Sequence, residues 1–516
     1  MKKIHFTYCL VIGLILLFSL SQCDKTIDTP VYEPYDETSL DATAGNWKTY
    51  ILANGSEIPV PAPEDATSGA YRTELDDLKA TMAAATAEQQ DLARQWGANG
   101  VSRWNEIARE LAAQYNVPPN YNADGTYPAP DPMNPTAYPR FPFANPPYAS
   151  RAFALLAVAQ YDALVTAWHA KFQYNRLAPY KNDTSIEPLI PENDLPSYPS
   201  EDAVVAAASR ELLKFLFPGE VQYVTALAEE HKNSRLWAGA NVQSDLSAGD
   251  SLGRIVAARI IAYAKTDKMG MANNQTGFQA QRDSAAARGF TTQWHSLDIP
   301  SRAPMLPAYG NVKTWNFDQS TLFSIRPEAP PAPGTPAFET ALNELRDMAN
   351  NRTREQFRIT TYWADGVGTY TPPGHWNRRA TELIHENQLN EIRAARALAL
   401  LNTAMQDAGI ACWETKFYYL LPRPTEIDPD VTTATGIPNF PAFASGHSTF
   451  SAAGAEVLSY LFPGHAADLQ AMAQEAADSR VYGCIHYRFD SEIGLEHGKK
   501  IGAFAVQRGQ TDGSDE

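Results

Sequence analysis

Apolar residues recur at three- and four-residue intervals along most of this chain, and no stretch alternates apolar and polar at every second position. The first spacing lines one face of a helix; the second would mark a half-buried strand. Helical patterning begins near Leu75 and runs through Tyr115. The proline-rich stretch 117–147 cannot form a regular element. An Ala/Leu-rich unit follows over about 148–265, with Ala152, Leu155, Leu156, Ala159 and Ala163 at helical spacing. Residues 268–336 are irregular and rich in Pro, Gly and Trp, as loops that carry function or wrap another element usually are. The pattern resumes over about 335–350 and 376–389, and a second Ala/Leu-rich unit spans about 390–508. The predicted fold class is all-α.

The two Ala/Leu-rich units are copies. Shifted by 245 positions, residues 148–254 overlay 393–499 without a gap. Arg151-Ala-Phe-Ala-Leu-Leu meets Arg396-Ala-Leu-Ala-Leu-Leu, Trp168 and Lys171 meet Trp413 and Lys416, and Ser234-Arg235 meets Ser479-Arg480. Two related helical bundles from an internal duplication are expected. The copies differ where chemistry would be lost: Arg423 faces Ala178, Gly446 faces Glu201, His447 faces Asp202 and His486 faces Asn241. The N-terminal copy therefore reads as a degenerate scaffold and the C-terminal copy as the bundle with the active site. The expected division is 1–23 signal, 24–75 tether and loop, 76–267 degenerate bundle, 268–336 irregular connection and 337–510 catalytic bundle.

Three segments of the second copy carry the chemistry: Lys416 with Arg423-Pro424, then Ser445-Gly446-His447, then Ser479-Arg480 with His486 and Asp490. Guanidinium groups grip two oxygens of an oxyanion in parallel, whereas an ammonium acts as a point charge. Ser445 suits the cap of a helix whose first amides and dipole favour an anion, and Gly446 permits close backbone approach. His447 beside that anion could move a proton. The four-residue spacing of His486 and Asp490 places both on one helical face, where the carboxylate would fix the imidazole tautomer and free the far nitrogen as nucleophile or metal ligand. Because Asp245 persists in the first copy without a histidine, a structural role for Asp490 is also open. His375 lies in the glycine-proline stretch 362–376, read as a loop that could line a pocket.

The net charge of -17 argues against nucleic acid, whose phosphates require a basic face. Lys2, Lys3, an apolar run over 11–20 and Leu20-Ser21-Gln22-Cys23 describe an export signal, with Cys23 as a site of lipidation. The expected location is the periplasm or cell envelope of a bacterium, with membrane attachment only through that anchor. Cys412 and Cys484 both neighbour motif residues, so a disulfide and two buried free thiols are both open. The oligomer state is not set by the sequence.

In order and spacing, the three segments resemble the signature shared by vanadium haloperoxidases and type 2 phosphatidic acid phosphatases. Two bundles resemble the haloperoxidase branch and its soluble bacterial members. The resemblance implies that Lys416, Arg423, Ser445, Gly446 and Arg480 hydrogen-bond vanadate (or phosphate), that His486 binds vanadium or forms a phosphohistidine, and that His447 is the acid–base. It further implies that Asp365 pairs with Arg480, that Trp413 lies near the oxyanion, and that Phe440 is of the chloroperoxidase type. Ala444 stands where the family has proline, and Leu421-Pro422 where haloperoxidases often have two aromatics. The implied activity is vanadate-dependent oxidation of halide by peroxide. Hydrolysis of a phosphomonoester through a phosphohistidine is the alternative, and a non-catalytic surface lipoprotein the remote one.

Overall fold

The computed structural model describes residues 32–37, 39–117, 121–126 and 146–515. The chain separates into two compact units, Met1–Glu33 and Pro34–Glu516. Of the first, Tyr32 and Glu33 are described; the expected export signal 1–23 lies outside the described residues. Everything below concerns the second unit.

Among the described residues every regular element is helical. In chain order the α-helices are α1 (Gly69–Ala84), α2 (Ala87–Gly97), α3 (Gly100–Tyr115), α4 (Pro146–Tyr174), α5 (Pro179–Asn182), α6 (Glu201–Leu216), α7 (Val221–Trp237), α8 (Gln243–Ala264), α9 (Phe278–Ala287) and α10 (Gln319–Ser324). They continue as α11 (Pro336–Asn351), α12 (Arg354–Tyr362), α13 (Thr371–Glu386), α14 (Glu391–Tyr419), α15 (Pro424–Ile427), α16 (Gly446–Leu461), α17 (Ala466–Tyr482) and α18 (Arg488–Gly509). None of them is long and apolar enough to cross a membrane.

Helices α4 to α8 recur as α14 to α18, each with the same length and each 245 positions later. The duplication also reaches further upstream than ungapped sequence comparison reveals. Helices α1 and α2 begin 267 positions before α11 and α12, and α3 begins 271 before α13. A side-chain signature confirms the match. Trp96 donates to Glu230 (2.9 Å) and stacks on His231, while Trp363 donates to Glu475 (2.8 Å) and stacks on His375. The register changes because a long proline-rich stretch separates α3 from α4, whereas α13 reaches α14 in a few residues.

The centre is α4 packed against α14, two 29-residue helices buried on almost every face. A helix apolar all round must lie in a core. Each carries one buried aspartate that fastens an irregular segment. Asp162 accepts from the amides of Tyr50 (2.8 Å), Ile51 (2.8 Å) and Leu52 (3.1 Å). Its counterpart Asp407 accepts from the amides of Trp315 (2.8 Å) and Asn316 (3.0 Å). The second half of the expected tether 24–75 is therefore anchored to the core, and its last residues already belong to α1, capped by Ser68. The connection between the copies lies against α14 and the loop after it: Trp294 N–H donates to Leu420 O (2.8 Å) and Met305 N–H to Asn439 O (3.2 Å).

Helix α18 presses closely on α16. A Cβ at Gly498 would fall 2.2 Å from Thr449 O, and one at Gly494 would fall 3.0 Å from Ser445 O. Glycine at these places lets one backbone seat the N-terminus of the other helix.

Candidate active site

Lys416 sits near the C-terminal end of α14, which closes with Leu420 in the left-handed region. Buried among the loop before α16, its ammonium donates to three carbonyls, Pro441 (2.9 Å), Ala442 (2.8 Å) and Ala444 (2.6 Å). Lysine has three such protons, so Lys416 fastens this loop and contributes its charge to the site. Lys171 keeps the same hold on Pro196 O in the first copy.

Arg423 stands just before α15. Its Nε donates to Phe440 O (3.0 Å), and its Nη1 to Ile485 O (2.9 Å) and to His486 Nε2 (3.0 Å). Its Nη2 is buried and has no partner. Arg480, at the end of α17, donates through Nε to Ser479 Oγ (2.8 Å) and through Nη2 to Thr360 O (3.0 Å). Burial lowers both guanidinium groups to about 10 and Lys416 to about 7. Removing cations from water disfavours the charged form, and Arg423 adds its repulsion to Lys416.

His486 lies in the loop between α17 and α18, not on a shared helical face with Asp490. Asp490 is instead the third residue of α18. Its carboxylate Oδ2 accepts from Tyr487 N–H (3.1 Å) and from His486 Nδ1–H (2.9 Å). Asp245 takes the corresponding amide, that of Val242, at 2.9 Å. Capping the helix is thus what keeps the aspartate in both copies. The bond to Nδ1 selects the tautomer whose Nε2 lone pair faces Arg423. Burial, then the charges of Arg423 and Lys416, hold His486 well below the usual histidine range. Burial pushes Asp490 up to about 7, against the pull of Lys416 and Arg423.

Ser445 caps α16, its Oγ facing Ser448 N–H. Its own N–H donates to Asp490 O (2.9 Å), which ties the cap to α18. A Cβ added at Gly446 would meet only the Trp413 ring, at 3.9 Å. The space above Gly446 is therefore open on its other sides, and the first-turn amides lack intrahelical acceptors. His447 follows. Its Nε2 has no partner, while hydrogen bonds with the backbone at Trp363 and Ala364 hold the ring. Burial and Arg480 keep it well below its ordinary range. Trp413 donates to Met305 O (3.1 Å), and its ring meets Phe440 at 4.8 Å. The Phe440 face also receives Lys416 and Arg423, at 5.2 and 5.1 Å.

Asp365 acts on Arg480 through its charge, and its bonded partner is His375, at 3.3 Å. His375 belongs to the first turns of α13, buried and stacked on Trp363, so the stretch read as a loop is half helix. Its second nitrogen meets Tyr362 OH at 3.3 Å. Sequence reasoning left this group largely unassigned because its partners come from α12 and α13, outside the three motifs. Cys412 and Cys484 are both free and buried, which decides the disulfide question. Cys412 faces Ala444 O and Cys484 faces Arg352.

These residues fit a tetrahedral oxyanion. Three buried cations gather in one place with a partnerless Arg423 Nη2, a partnerless His447 Nε2 and open space over a helix N-terminus. An anion would supply the missing acceptors and relieve the repulsion among the cations.

Residues 464–512 match the family model described as the VCPO second helical-bundle domain. The fold is similar to a bacterial vanadium-dependent iodoperoxidase, with a TM-score of 0.55 and 24% identity over 70% of this chain and 91% of that one. It is also similar to the holo form of a bacterial vanadium-dependent chloroperoxidase, with a TM-score of 0.50 and 14% identity over 74% of this chain and 95% of that one. No curated protein sequence matches the chain. The chain thus has the fold of these two vanadium-dependent haloperoxidases, and its residues 464–512 resemble the second helical bundle of that family model.

Proposed function

We propose that this protein is an exported enzyme that binds vanadate and oxidises halide with hydrogen peroxide. The observation that carries this reading is the pairing of His486 Nδ1 with Asp490 beneath a partnerless Arg423 Nη2. It presents one imidazole nitrogen and one free guanidinium donor to the same place. Arg423, Arg480, Ser445 and the amides of Gly446 and His447 would hold the oxyanion, and His486 Nε2 would exchange its contact with Arg423 for vanadium. Bound vanadate supplies a Lewis-acid centre that activates peroxide without change of oxidation state. His447, whose Nε2 has no partner, would accept and return a proton at that nitrogen. Lys416 contributes charge from beneath the loop. Residues 337–510 are proposed as the catalytic bundle, 76–267 as scaffold, and Cys23 as a lipid anchor in the cell envelope.

The test uses the purified protein stripped of anions. Halide oxidation should appear with peroxide only when orthovanadate is added, and His486→Ala should abolish it. Hydrolysis of p-nitrophenyl phosphate, inhibited by vanadate and without halide oxidation, would make the protein a phosphatase on this fold instead.

A further inference from the structure

The proposed reaction consumes protons at a buried place. Oxidising one halide ion with one hydrogen peroxide gives one hypohalous acid and one water only when one proton is taken up. The buried cations Lys416, Arg423 and Arg480 repel a positively charged proton carrier in free solution. A chain of hydrogen bonds leads from the surface toward them. Arg378 Nη2 donates to Tyr362 OH (3.2 Å), Tyr362 OH meets His375 Nε2 (3.3 Å), and His375 Nδ1 meets Asp365 Oδ1 (3.3 Å). Tyr362 is 44% exposed, whereas His375 is buried and the Asp365 side chain is nearly so.

The two ends fix the direction of this chain. A guanidinium can only donate, and a carboxylate can only accept. Tyr362 therefore turns its own O–H to His375 Nε2, and His375 carries its proton on Nδ1, toward Asp365. Every donor points inward. Asp365 Oδ2 is buried and accepts no hydrogen bond. The charge of Asp365 acts on Arg480, and the backbone of Ala364, the residue before it, helps hold His447. The first copy supplies a contrast. There His231 stacks on Trp96 as His375 stacks on Trp363, and its Nε2 bonds to Asp202 (2.8 Å). Its other nitrogen accepts from the indole of Trp104 (3.1 Å), which is fully buried. An indole N–H donates but takes no proton in return, whereas a phenol hydroxyl does both. The imidazole–carboxylate pair is closed off in one copy and opens to solvent through Tyr362 in the other.

We propose that Tyr362, His375 and Asp365 form the path by which protons enter the active site from solvent. The need for that path rests on the haloperoxidase reading above. A proton from water joins the Tyr362 oxygen as that oxygen's own proton passes to His375 Nε2. The imidazole gives up its Nδ1 proton to Asp365, which delivers it to the site beside Arg480 and His447. One positive charge moves inward, no bond between heavy atoms changes, and nothing is oxidised or reduced. The imidazole then returns to the Nδ1–H tautomer that Asp365 selects.

The first test uses anion-free protein. Nitrogen NMR of histidine-labelled protein should show His375, assigned from the signal lost in His375→Phe, as the Nδ1–H tautomer. Its Nδ1 proton should exchange with water more slowly in Tyr362→Phe than in wild type. The opposite tautomer, or equal exchange, overturns the path. Iodide oxidation is then followed at saturating orthovanadate and mildly alkaline pH. His375→Phe keeps a ring to stack on Trp363 and should lower kcat about a hundredfold, as for other positioned proton-transfer groups, with the KM for iodide unchanged. Tyr362→Phe, at an exposed position, should lower kcat in the same direction. Added imidazole should restore much of the rate in both variants, because a soluble carrier replaces the missing one; a merely structural defect would lower the rate whatever the buffer. Unchanged rates, or a loss that imidazole does not recover, overturn the path alone. Wild-type protein that oxidises no iodide removes the haloperoxidase reading, and the path's role with it.

Discussion

Asp490 does two jobs with one oxygen. It caps α18 through Tyr487 N–H and fixes the His486 ring through Nδ1. The roles separate by substitution. Asp490→Asn keeps an acceptor for both donors and loses the charge, so vanadate affinity should fall about 10–100-fold, as for other partners of metal-ligating histidines. Its melting temperature should stay closer to wild type than that of Asp490→Ala, which loses the cap as well. Equal vanadate affinity in Asp490→Asn and wild type, from vanadate titration of halide oxidation, would confine Asp490 to the structural role. At this scale the sequence was informative about identity and less so about geometry. The three motifs named the groups that converge, because each chemistry demands its residue type. They did not show that Lys416 would spend its protons on Pro441, Ala442 and Ala444, nor that His486 would precede the helix. Both outcomes depend on loop backbone, which periodicity does not encode.

Among the elements, the contact between α16 and α18 places the site. Gly494 and Gly498 allow α18 to lie against the first turns of α16, and Ser445 N–H bonds to Asp490 O across the same contact. Gly498→Ala would drive a methyl into the backbone oxygen of Thr449 and force the helices apart. A loss of about 1–3 kcal/mol is expected, as for other overpacked cores, along with reduced turnover as the N-terminus of α16 moves. Urea unfolding with unchanged stability would show that the contact is looser than described. Helix existence was legible from apolar spacing in the two Ala/Leu-rich units, as was the match of α4 to α8 with α14 to α18 from sliding the sequence alone, whereas α9 and α10 formed inside the connection read as irregular and α12 where the spacing predicts no helix. The upstream half of the duplication was hidden, because the inserted stretch between α3 and α4 breaks the register that an ungapped comparison needs. Shared contacts such as Trp96 with Glu230 and Trp363 with Glu475 recover it.

For the molecule as a whole, the N-terminal segment, α3 and α14 meet over buried carboxylates. Glu391 accepts from the amides of Gly100 (2.5 Å) and Val101 (3.0 Å), and burial followed by the charge of Asp202 raises it to about 8. Burial, Glu201 and Asp202 raise Glu37 to about 8 as well. A carboxyl group whose folded pKa exceeds its unfolded value, about 4.3, stabilises most fully below that value. The contribution is lost as pH rises through the folded pKa. Thermal melts should therefore decline between pH 5 and 8 (roughly the window set by these two values). Glu391→Gln, which cannot ionise, should flatten that decline. Parallel curves for the two proteins would mean that Glu391 does not titrate in this range.

The first copy retains counterparts of two of the cations at the candidate site. Lys171 and Arg235 stand where Lys416 and Arg480 stand in the second. Glu201 meets Lys171 at 2.7 Å, while Asp202 meets Arg235 at 3.7 Å and His231 at 2.8 Å. These carboxylates are tethered competitors, held at an effective concentration on the order of millimolar or above. A free oxyanion would have to displace a ligand that cannot diffuse away. Equilibrium dialysis should accordingly count one vanadate per chain, although the chain contains two copies of the bundle; a count of two would mean that the tether can be outcompeted.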